Sequence, residues 1–331
     1  MPGGLDERSQ QPRPAARGAD PARALRARLD ALNRKLGAGR KPLVTTAASL
    51  PAVNPPAARP LARLIYHRDL PRVESPAPDT AAGVKVTLEE TIEGMELSGP
   101  DGGTVFLVHT PPAELPDADV IARRFADQLA EPASNLYRVL AAMDPAPAPK
   151  LDDLNPEHLV FLDIETTGLG NTPAFLVGLM TWTGAGFAVR QYLARHYAEE
   201  AAMILTSLGV TTAHRLLVTF NGKTFDVPYL RTRAVALGLP WALPLPHFDL
   251  LHVSRQLWRG HVPNCRLQTL EALICGRPRQ GDIPGHEIPE AYHAFVRTGN
   301  AWQLVEILKH NRLDLLTMAD LMTRFPPPPV P

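Results

Sequence analysis

Acidic side chains follow two of the apolar runs in this sequence. Asp163 and Glu165 stand two residues apart at the end of LVFLDIET, and Asp226 ends the loop that follows RLLVTF. Residues two apart in a strand point to the same side, so the first two carboxylates project together. Such acids repel each other unless a cation lies between them or one is protonated. Taken alone, the pair also fits a strand-end turn, and Asp226 also fits a helix N-cap.

A histidine and a fourth acid share a helical pattern near the end of the chain. His310 and Asp314 are four residues apart, so they lie one above the other on one helix face. An isolated pair of this kind is typical of a solvated helix. Together with Asp163, Glu165 and Asp226, however, Asp314 completes four carboxylates, a hard oxygen environment suited to Mg²⁺ or Mn²⁺. Two such ions about 4 Å apart activate a water and stabilise the leaving oxygen of a phosphodiester, and His310 could serve as general base.

Other charged residues nearby have two interpretations each. Asp249 follows a further candidate strand and is either a fifth acid of the site or a helix cap. Arginines in the same region could neutralise substrate phosphates or be solvated on helix faces. These are Arg231, Arg233, Arg255 and Arg259.

Strand-like and helix-like runs alternate from residue 158 onward and would position these residues. Strands are predicted over HLVFLDIET, AFLVGLMTW and GFAVRQYL, with a turn at 183–186 that joins the last two as a hairpin. The buried strand RLLVTF lies between a helix that ends at Gly209 and a helix within FDVPYLRTRAVALG. Two more helices are predicted over 266–275 and 302–324. The alternation predicts an α/β fold, a mixed β-sheet flanked by helices.

The first half of the chain is organised differently. Residues 1–83 are rich in Pro, Ala and Arg and are predicted to form a mostly disordered arm, with a short helix near 21–36. That helix either docks on a partner or lies solvated on its own domain. Residues 84–150 are predicted to form a small α+β segment: a β-hairpin around GPDGG and a helical stretch interrupted at Pro132. A catalytic domain would then cover 155–325.

Composition excludes several classes of protein. Two cysteines are too few for a disulfide framework, no run is long enough for a membrane span, and the N-terminus lacks a secretory h-region. We therefore predict a cytoplasmic protein without membrane contact. The formal net charge is zero, but residues 1–80 hold 14 basic and 7 acidic residues, so this +7 is balanced by −7 in the remainder. A basic arm on an acidic body is compatible with binding nucleic acid.

Three motifs in this order resemble those of a known superfamily. FLDIETTGLG, TFNGKTFDVP and HNRLD are similar to the three exonuclease motifs of the DEDD superfamily, which has a ribonuclease-H-like fold. The stretches HFDLLHVSRQLW, CRLQTLEALI and GDIPGHEIPEAYHAFVRTGN further resemble the YprB-type ribonuclease-H-like proteins. The resemblance covers about residues 155–325.

The resemblance implies a role for each matching residue. The implied metal ligands, for two Mg²⁺ or Mn²⁺ ions, are Asp163, Glu165, Asp226 and Asp314, with His310 as base. Thr166 and Leu169 would contact the 3′-terminal nucleotide, and Asn221 and Phe225 would line its sugar and base. The third motif departs from the pattern, because His310 precedes its acid by four residues. That is the spacing of the subgroup with a tyrosine, whereas the histidine subgroup has five.

The sequence thus predicts a metal-dependent 3′–5′ exonuclease that hydrolyses single-stranded DNA or RNA ends. Two alternatives stay open on the same fold. One is a module that binds nucleic acid or protein without cleaving it, with the N-terminal helix as a docking element, because a fold does not guarantee an activity. The other is a structure-specific endonuclease.

Overall fold

A computed structural model describes residues 86–142 and 154–327, and in these residues seven strands form one mixed sheet. The spatial order is β1-β2-β5-β4-β3-β6-β7. The strands are β1 (Met95–Ser98), β2 (Thr104–Thr110), β3 (Leu159–Thr166), β4 (Ala174–Thr183), β5 (Gly186–Leu193), β6 (Leu216–Thr219) and β7 (His247–Asp249). Strand β3 is central: it pairs antiparallel with β4 and parallel with β6. The carboxyl ends of β3, β6 and β7 therefore meet at one edge, where ligands bind in sheets of this kind.

Helices cover both faces of the sheet. In chain order they are α1 (Leu88–Thr91), α2 (Ala118–Ala130), α3 (Asn135–Ala142), α4 (Glu200–Thr212), α5 (Asp226–Ala236), α6 (Leu250–Trp258), α7 (Leu267–Leu270), α8 (Ile288–Thr298) and α9 (Trp302–Thr323). A π-helical turn, Glu271–Cys275, continues α7.

Alternating residues of β3 supply the cores on the two faces. Phe161 packs with Phe125 of α2, Phe187 of β5 and the apolar side of α9. Its neighbour Leu162 points the other way, into the core beneath α4 and α5. Because Asp163 and Glu165 follow Phe161 at even spacing, they point toward the face that α9 covers. The long helix α9 thus lies over the strand that carries the first two acids.

The structure confirms the predicted fold class, a mixed sheet flanked by helices. Pro132 falls between α2 and α3, and the predicted hairpin joins β4 to β5. One helix differs from the prediction, since α4 continues past Gly209 to Thr212. Gly209 lies inside the helix without a positive φ, so it does not act as a stop there.

The predicted hairpin around GPDGG belongs to this same sheet. It comprises β1 and β2, and β2 pairs with β5 from Phe106↔Leu193 to Thr110↔Val189. Residues 86–142 therefore share a sheet and a core with residues 154–327. The predicted arm, its helix near 21–36 and the boundary near residue 150 lie outside the described residues. No helix within the described ranges is both long and apolar enough to cross a membrane.

Candidate active site

Three separate parts of the chain bring acids to one end of the sheet. Asp163 and Glu165 lie on β3, directly before a register shift between Glu165 and Thr166. Asp226 is the first residue of α5, and its Oδ1 accepts a hydrogen bond of 3.2 Å from the backbone N–H of Ile164. This bond joins the loop after β6 to the strand of the first two acids. Asp314 comes from the middle of α9.

The electrostatics of these acids show that they are neighbours. Burial raises the pKa of Asp163 well above its ordinary value, and the charges of Asp314, Glu165 and Asp226 raise it further. Burial raises the pKa of Glu165 to about 8, although the His310 charge opposes the shift. Burial also raises the pKa of Asp226 to about 7, against backbone hydrogen bonds. The acids predicted from the sequence therefore form one group, in which negative charges raise the pKa of neighbouring carboxyls.

The donor chemistry of this group suits a hard divalent cation. Four carboxylates with unfavourable mutual charge are stabilised by a positive charge among them, and Mg²⁺ and Mn²⁺ prefer oxygen ligands. Across residues 86–142 and 154–327, however, no three His, Cys, Asp or Glu side chains are grouped so that they could hold a metal ion as they stand. Metal ligation by these four residues stays a prediction.

His310 lies beside the four acids, and a further carboxylate, that of Asp282, binds its ring. Its Nδ1 donates to Asp282, at 3.0 Å from Oδ1 and 2.9 Å from Oδ2, while its Nε2 lies 3.6 Å from Oδ2 of Asp314. Burial alone would lower the pKa of His310, but the hydrogen bond to Asp282 and the charges of Asp314 and Glu165 raise it to about 9. The unusual four-residue spacing therefore still places the imidazole within reach of the cluster.

Arg279 links several acids around His310. Its guanidinium forms ion pairs with Asp314, with Glu271 of the π-helical turn and, at 3.0 Å, with Asp282. The side chain is only 7% exposed, so these charges interact with little screening by water. A loop between α7 and α8 thereby fixes both His310 and Asp314.

Asp163 is held by a side-chain amide instead of an ion pair. Asn311, fully buried on α9, donates from Nδ2 to Oδ2 of Asp163 at 2.8 Å. Its Oδ1 accepts at 2.8 Å from Nε2 of Gln191 in β5, which also donates to the carbonyl of Leu308. Gln191 and Asp163 are both cross-strand partners of Gly178, one on each side.

Gly178 makes room for this amide. A Cβ at that position would stand 2.1 Å from Oδ1 of Asn311, far inside contact distance. The missing side chain in β4 lets the Asn311 amide lie against the strand and reach Asp163.

Asp249 is a cap and a loop anchor. Its Oδ1 accepts from the backbone N–H of Leu251 at 3.0 Å and of Asn221 at 2.8 Å, and its Oδ2 accepts from that of Lys223 at 2.9 Å. The bond to Leu251 is a local helix cap, and the other two tie the loop after β6 to the end of β7, which matches the helix-cap interpretation instead of a fifth site acid. They fix Asn221 at φ 69°, a left-handed conformation that asparagine tolerates.

The four predicted substrate contacts have different surroundings. A cavity of about 530 Å³ opens at the acids, and its lining includes Asp163, Asp314 and Asn221. Thr166 instead donates through Oγ1 to the Gly168 carbonyl at 3.0 Å, and Leu169 is 88% exposed beside it. Phe225 packs on Tyr229, with ring centroids 5.4 Å apart. Asn221 alone of the four lines this cavity, and substrate contact by each stays a prediction.

Several residues in the site were not predicted from the sequence. The three motifs do not contain Arg279, Asp282, Gln191 or Gly178. Asp282 does lie in the stretch GDIPGHEIPEAYHAFVRTGN, which resembles the YprB-type proteins, but no role at the site was predicted for it. Asn311 did carry a signal, since it stands between His310 and Asp314 on the same helix.

Among the candidate phosphate-binding arginines, Arg233 is committed to a buried ion pair with Glu200, at 2.6 Å. Arg255 lines the cavity.

The fold and the family comparison agree. Residues 160–325, half of the chain, match the model of the RNase_H superfamily, and the chain belongs to that superfamily. It is similar to "Uncharacterized protein YprB" of Bacillus subtilis (strain 168), with 34% identity over 175 residues, covering 50% of this chain and 41% of YprB. The resemblance to YprB-type ribonuclease-H-like proteins is therefore confirmed.

More distant relatives are DNA polymerases. The DNA polymerase of Pyrococcus glycovorans is 30% identical over 135 residues, 34% of this chain and 16% of the polymerase. A solved family B DNA polymerase from Pyrobaculum calidifontis has 18% identity and a TM-score of 0.40, over 49% of this chain and 24% of that chain. The chain thus covers less than half the length of the relatives it matches. The match of residues 160–325 to the RNase_H superfamily supports a fold of the nuclease type.

Proposed function

We propose that this protein is a metal-dependent 3′–5′ exonuclease that hydrolyses single-stranded ends of DNA or RNA. The observation that carries the proposal is the meeting of four acids from three chain segments beside one buried histidine, at the carboxyl ends of β3 and β6. A structural role alone would not require a cluster whose members destabilise one another. A group of buried carboxylates that destabilise one another is typical of sites that do chemistry.

The four acids would hold the ions. Asp163, Glu165, Asp226 and Asp314 would bind two Mg²⁺ or Mn²⁺ ions. When bound, such ions activate a water and stabilise the leaving oxygen of a phosphodiester. The chain's own contribution is to hold the ligands ready: Asn311 fixes the Asp163 carboxylate, and the N–H of Ile164 fixes that of Asp226.

His310 would move the proton. With Nδ1 bound to Asp282, its Nε2 is the free edge of the ring and faces Asp314. The pKa near 9 means that the ring carries a proton while the neighbouring carboxylates are uncompensated. Neutralising Asp314 and Glu165 would remove part of what raises this pKa and would make Nε2 a better proton acceptor near neutral pH.

The cavity would receive the terminal nucleotide. Phe220 and Asn221 line it next to Asp163, so a base could stack on the ring while the amide contacts polar atoms. Stacking on an aromatic ring requires an unpaired base, which favours a single-stranded end. Nucleic acid is accordingly the proposed partner. A protein partner for the N-terminal helix and a cytoplasmic location stay predictions.

An end-labelled degradation assay tests the proposal. Single-stranded DNA and RNA, each labelled at the 5′ end, are incubated with Mg²⁺, Mn²⁺ or EDTA. We expect a ladder that shortens from the 3′ end, that requires the metal, and that Asp163→Asn and Asp226→Asn abolish. Asp119→Asn is the matched control, since Asp119 is exposed on α2 and pairs only with Arg123 in the described residues.

Other outcomes would replace the proposal. Binding without cleavage by the intact protein would identify a non-catalytic module. Cutting of a circular single strand would identify an endonuclease. Degradation that persists in EDTA would contradict the metal-dependent chemistry.

A further inference from the structure

Two arginines line the same cavity as the acids Asp163 and Asp314. Arg255 reaches the cavity from α6, and Arg266 reaches it from the residue before α7. Asn264 lies between them in sequence, lines the same cavity, and accepts hydrogen bonds from the N–H of Arg266 at 3.0 Å and from Thr269 at 2.9 Å. The loop that presents Arg266 is therefore ordered by its own contacts.

Both guanidinium groups are available to a ligand. Within residues 86–142 and 154–327, neither the Arg255 nor the Arg266 guanidinium has an ion-pair or hydrogen-bond partner. Arginines elsewhere around the site are committed: Arg233 to Glu200, and Arg279 to three acids. The two exposed arginines at the cavity differ from these, since no ion pair within the described part of the chain compensates their charge.

We infer that Arg255 and Arg266 bind the backbone phosphates of the strand on the 5′ side of the bond being cleaved. This inference rests on the proposed function, which places the 3′-terminal nucleotide at the acids. Metal ions at the acids would contact the phosphate being cleaved, so the further phosphates of a strand that enters this cavity need other cations, and the two arginines line the same cavity. Arginine suits that role, since its planar donors match phosphate oxygens and it stays charged at every relevant pH.

The recognition would be independent of sequence. Phosphate contacts position a strand without reading its bases, and the aromatic Phe220 can stack on any base. The cavity of about 530 Å³ is in the size range of a site for one small ligand, such as the terminal nucleotide. The next phosphates of the strand would then lie beside Arg255 and Arg266.

Binding of a labelled strand tests the inference without cleavage. The full-length protein is titrated with a fluorescein-labelled 20-residue oligothymidylate in Ca²⁺, and anisotropy gives the dissociation constant at several salt concentrations. The test variant is Arg255→Gln/Arg266→Gln, which keeps side chains of polar character and removes both charges. Arg297→Gln is the control, because Arg297 is an exposed arginine of α8 outside the cavity lining.

We expect the double variant to bind the oligonucleotide roughly tenfold or more weakly, because two charge-assisted contacts are lost. The slope of log K against log salt should fall by about 1.4, since each single-strand phosphate contact contributes about 0.7. Arg297→Gln should retain the affinity and slope of the unmodified protein. An unchanged slope and dissociation constant in the double variant would overturn the inference.

A substrate without a 5′ strand separates this inference from the proposed function. The p-nitrophenyl ester of thymidine 5′-monophosphate has one phosphodiester and no further phosphates. With Mn²⁺, the two substitutions should lower kcat/KM on an oligonucleotide by a larger factor than on this ester. If the unmodified protein hydrolyses neither the ester nor an oligonucleotide, the proposed function fails, while the salt slopes still decide whether the arginines bind phosphates. An equal fold-loss of kcat/KM on the two substrates would place the arginines at the reaction itself and overturn the inference.

Discussion

The acid cluster is held in two different ways on its two sides. Asp163 is held by neutral amides, Asn311 and Gln191, which are anchored in α9 and in the sheet. Asp314 and His310 are instead held by Arg279 and Asp282, two charged residues in a loop between helices. We call the first group the amide side and the second the ionic side. The hydrogen bonds of the amide side depend on how its side chains pack, whereas the contacts of the ionic side depend on opposite charges.

The two sides are therefore expected to lose different amounts of stability when one of their side chains is removed. Removing an amide costs about 0.5–1.5 kcal/mol for a lost neutral hydrogen bond, and up to about 3 kcal/mol where a buried donor or acceptor is left unpaired. Removing one member of a buried ionic group leaves an uncompensated charge, which costs more, about 3–5 kcal/mol. The two sides of one cluster should therefore differ in their sensitivity to substitution and to pH.

The largest effect is expected for Arg279→Met. The substitution leaves Glu271, Asp282 and Asp314 facing one another without their cation, so the free energy of unfolding should fall by about 3–5 kcal/mol. Urea denaturation in EDTA measures the loss. The matched control is Arg297→Met, because its pair with Glu290 is solvent-exposed and 3.9 Å long, and it should cost less than about 1 kcal/mol. Equal losses in the two variants would contradict the ionic description.

Asp282→Asn should reveal the pH dependence of the ionic side. Burial opposes ionisation of Asp282, but hydrogen bonds and charge from His310 and Arg279 hold its pKa below the usual value of 3.8. A lowered pKa contributes stability above the unfolded-state pKa, and this is lost as the pH falls through the folded-state pKa. The variant should therefore be about 1.5–3 kcal/mol less stable at pH 7, and the deficit should shrink below pH 4.

Urea denaturation of Asp282→Asn and of the unmodified protein from pH 7 to pH 3 gives this difference. A deficit that is constant across the whole range would show that Asp282 stabilises the protein without its charge.

Gly178→Ala tests the amide side through shape alone. The new Cβ would overlap the Asn311 amide, so the free energy of unfolding should fall by about 1–3 kcal/mol and metal-dependent activity should fall with it. Gly209→Ala is the matched control, since Gly209 lies within α4 and a Cβ there meets nothing within 4 Å. That control should raise stability by about 0.5–1 kcal/mol. Thermal denaturation should give a lower melting temperature for Gly178→Ala and a higher one for Gly209→Ala than for the unmodified protein.

Gln191→Leu is expected to have the smallest effect, about 0.5–1.5 kcal/mol, because one neutral hydrogen-bonding partner of Asn311 is lost. A double-mutant cycle with Asn311→Leu should give a coupling energy of at least about 0.5 kcal/mol, since the two amides contact each other. The cost should not change between pH 7 and pH 3, in contrast to that of Asp282→Asn. Additive losses would show that the amides act independently.

The same division explains what could be predicted from the sequence. The four acids and His310 occur in short motifs beside apolar runs, so periodicity and chain order suffice to find them. Arg279 and Asp282 lie in an irregular loop whose path is set by packing between α7, α8 and α9. Gln191 is one polar residue in a strand, and its burial follows only from the position of α9 over β5. Contacts that depend on tertiary packing leave no periodic signal.

The two outer strands of the sheet are short, and this affects how the protein behaves when it is concentrated. β1 has four residues and β7 has three, and they stand at opposite ends of the sheet among the described residues. Glu96 of β1 is also engaged by Arg195, so a charged pair lies on that margin. Long, flat, apolar margins invite strand pairing between molecules, which leads to aggregation. This sheet offers little template for such pairing, so a second copy cannot readily extend it.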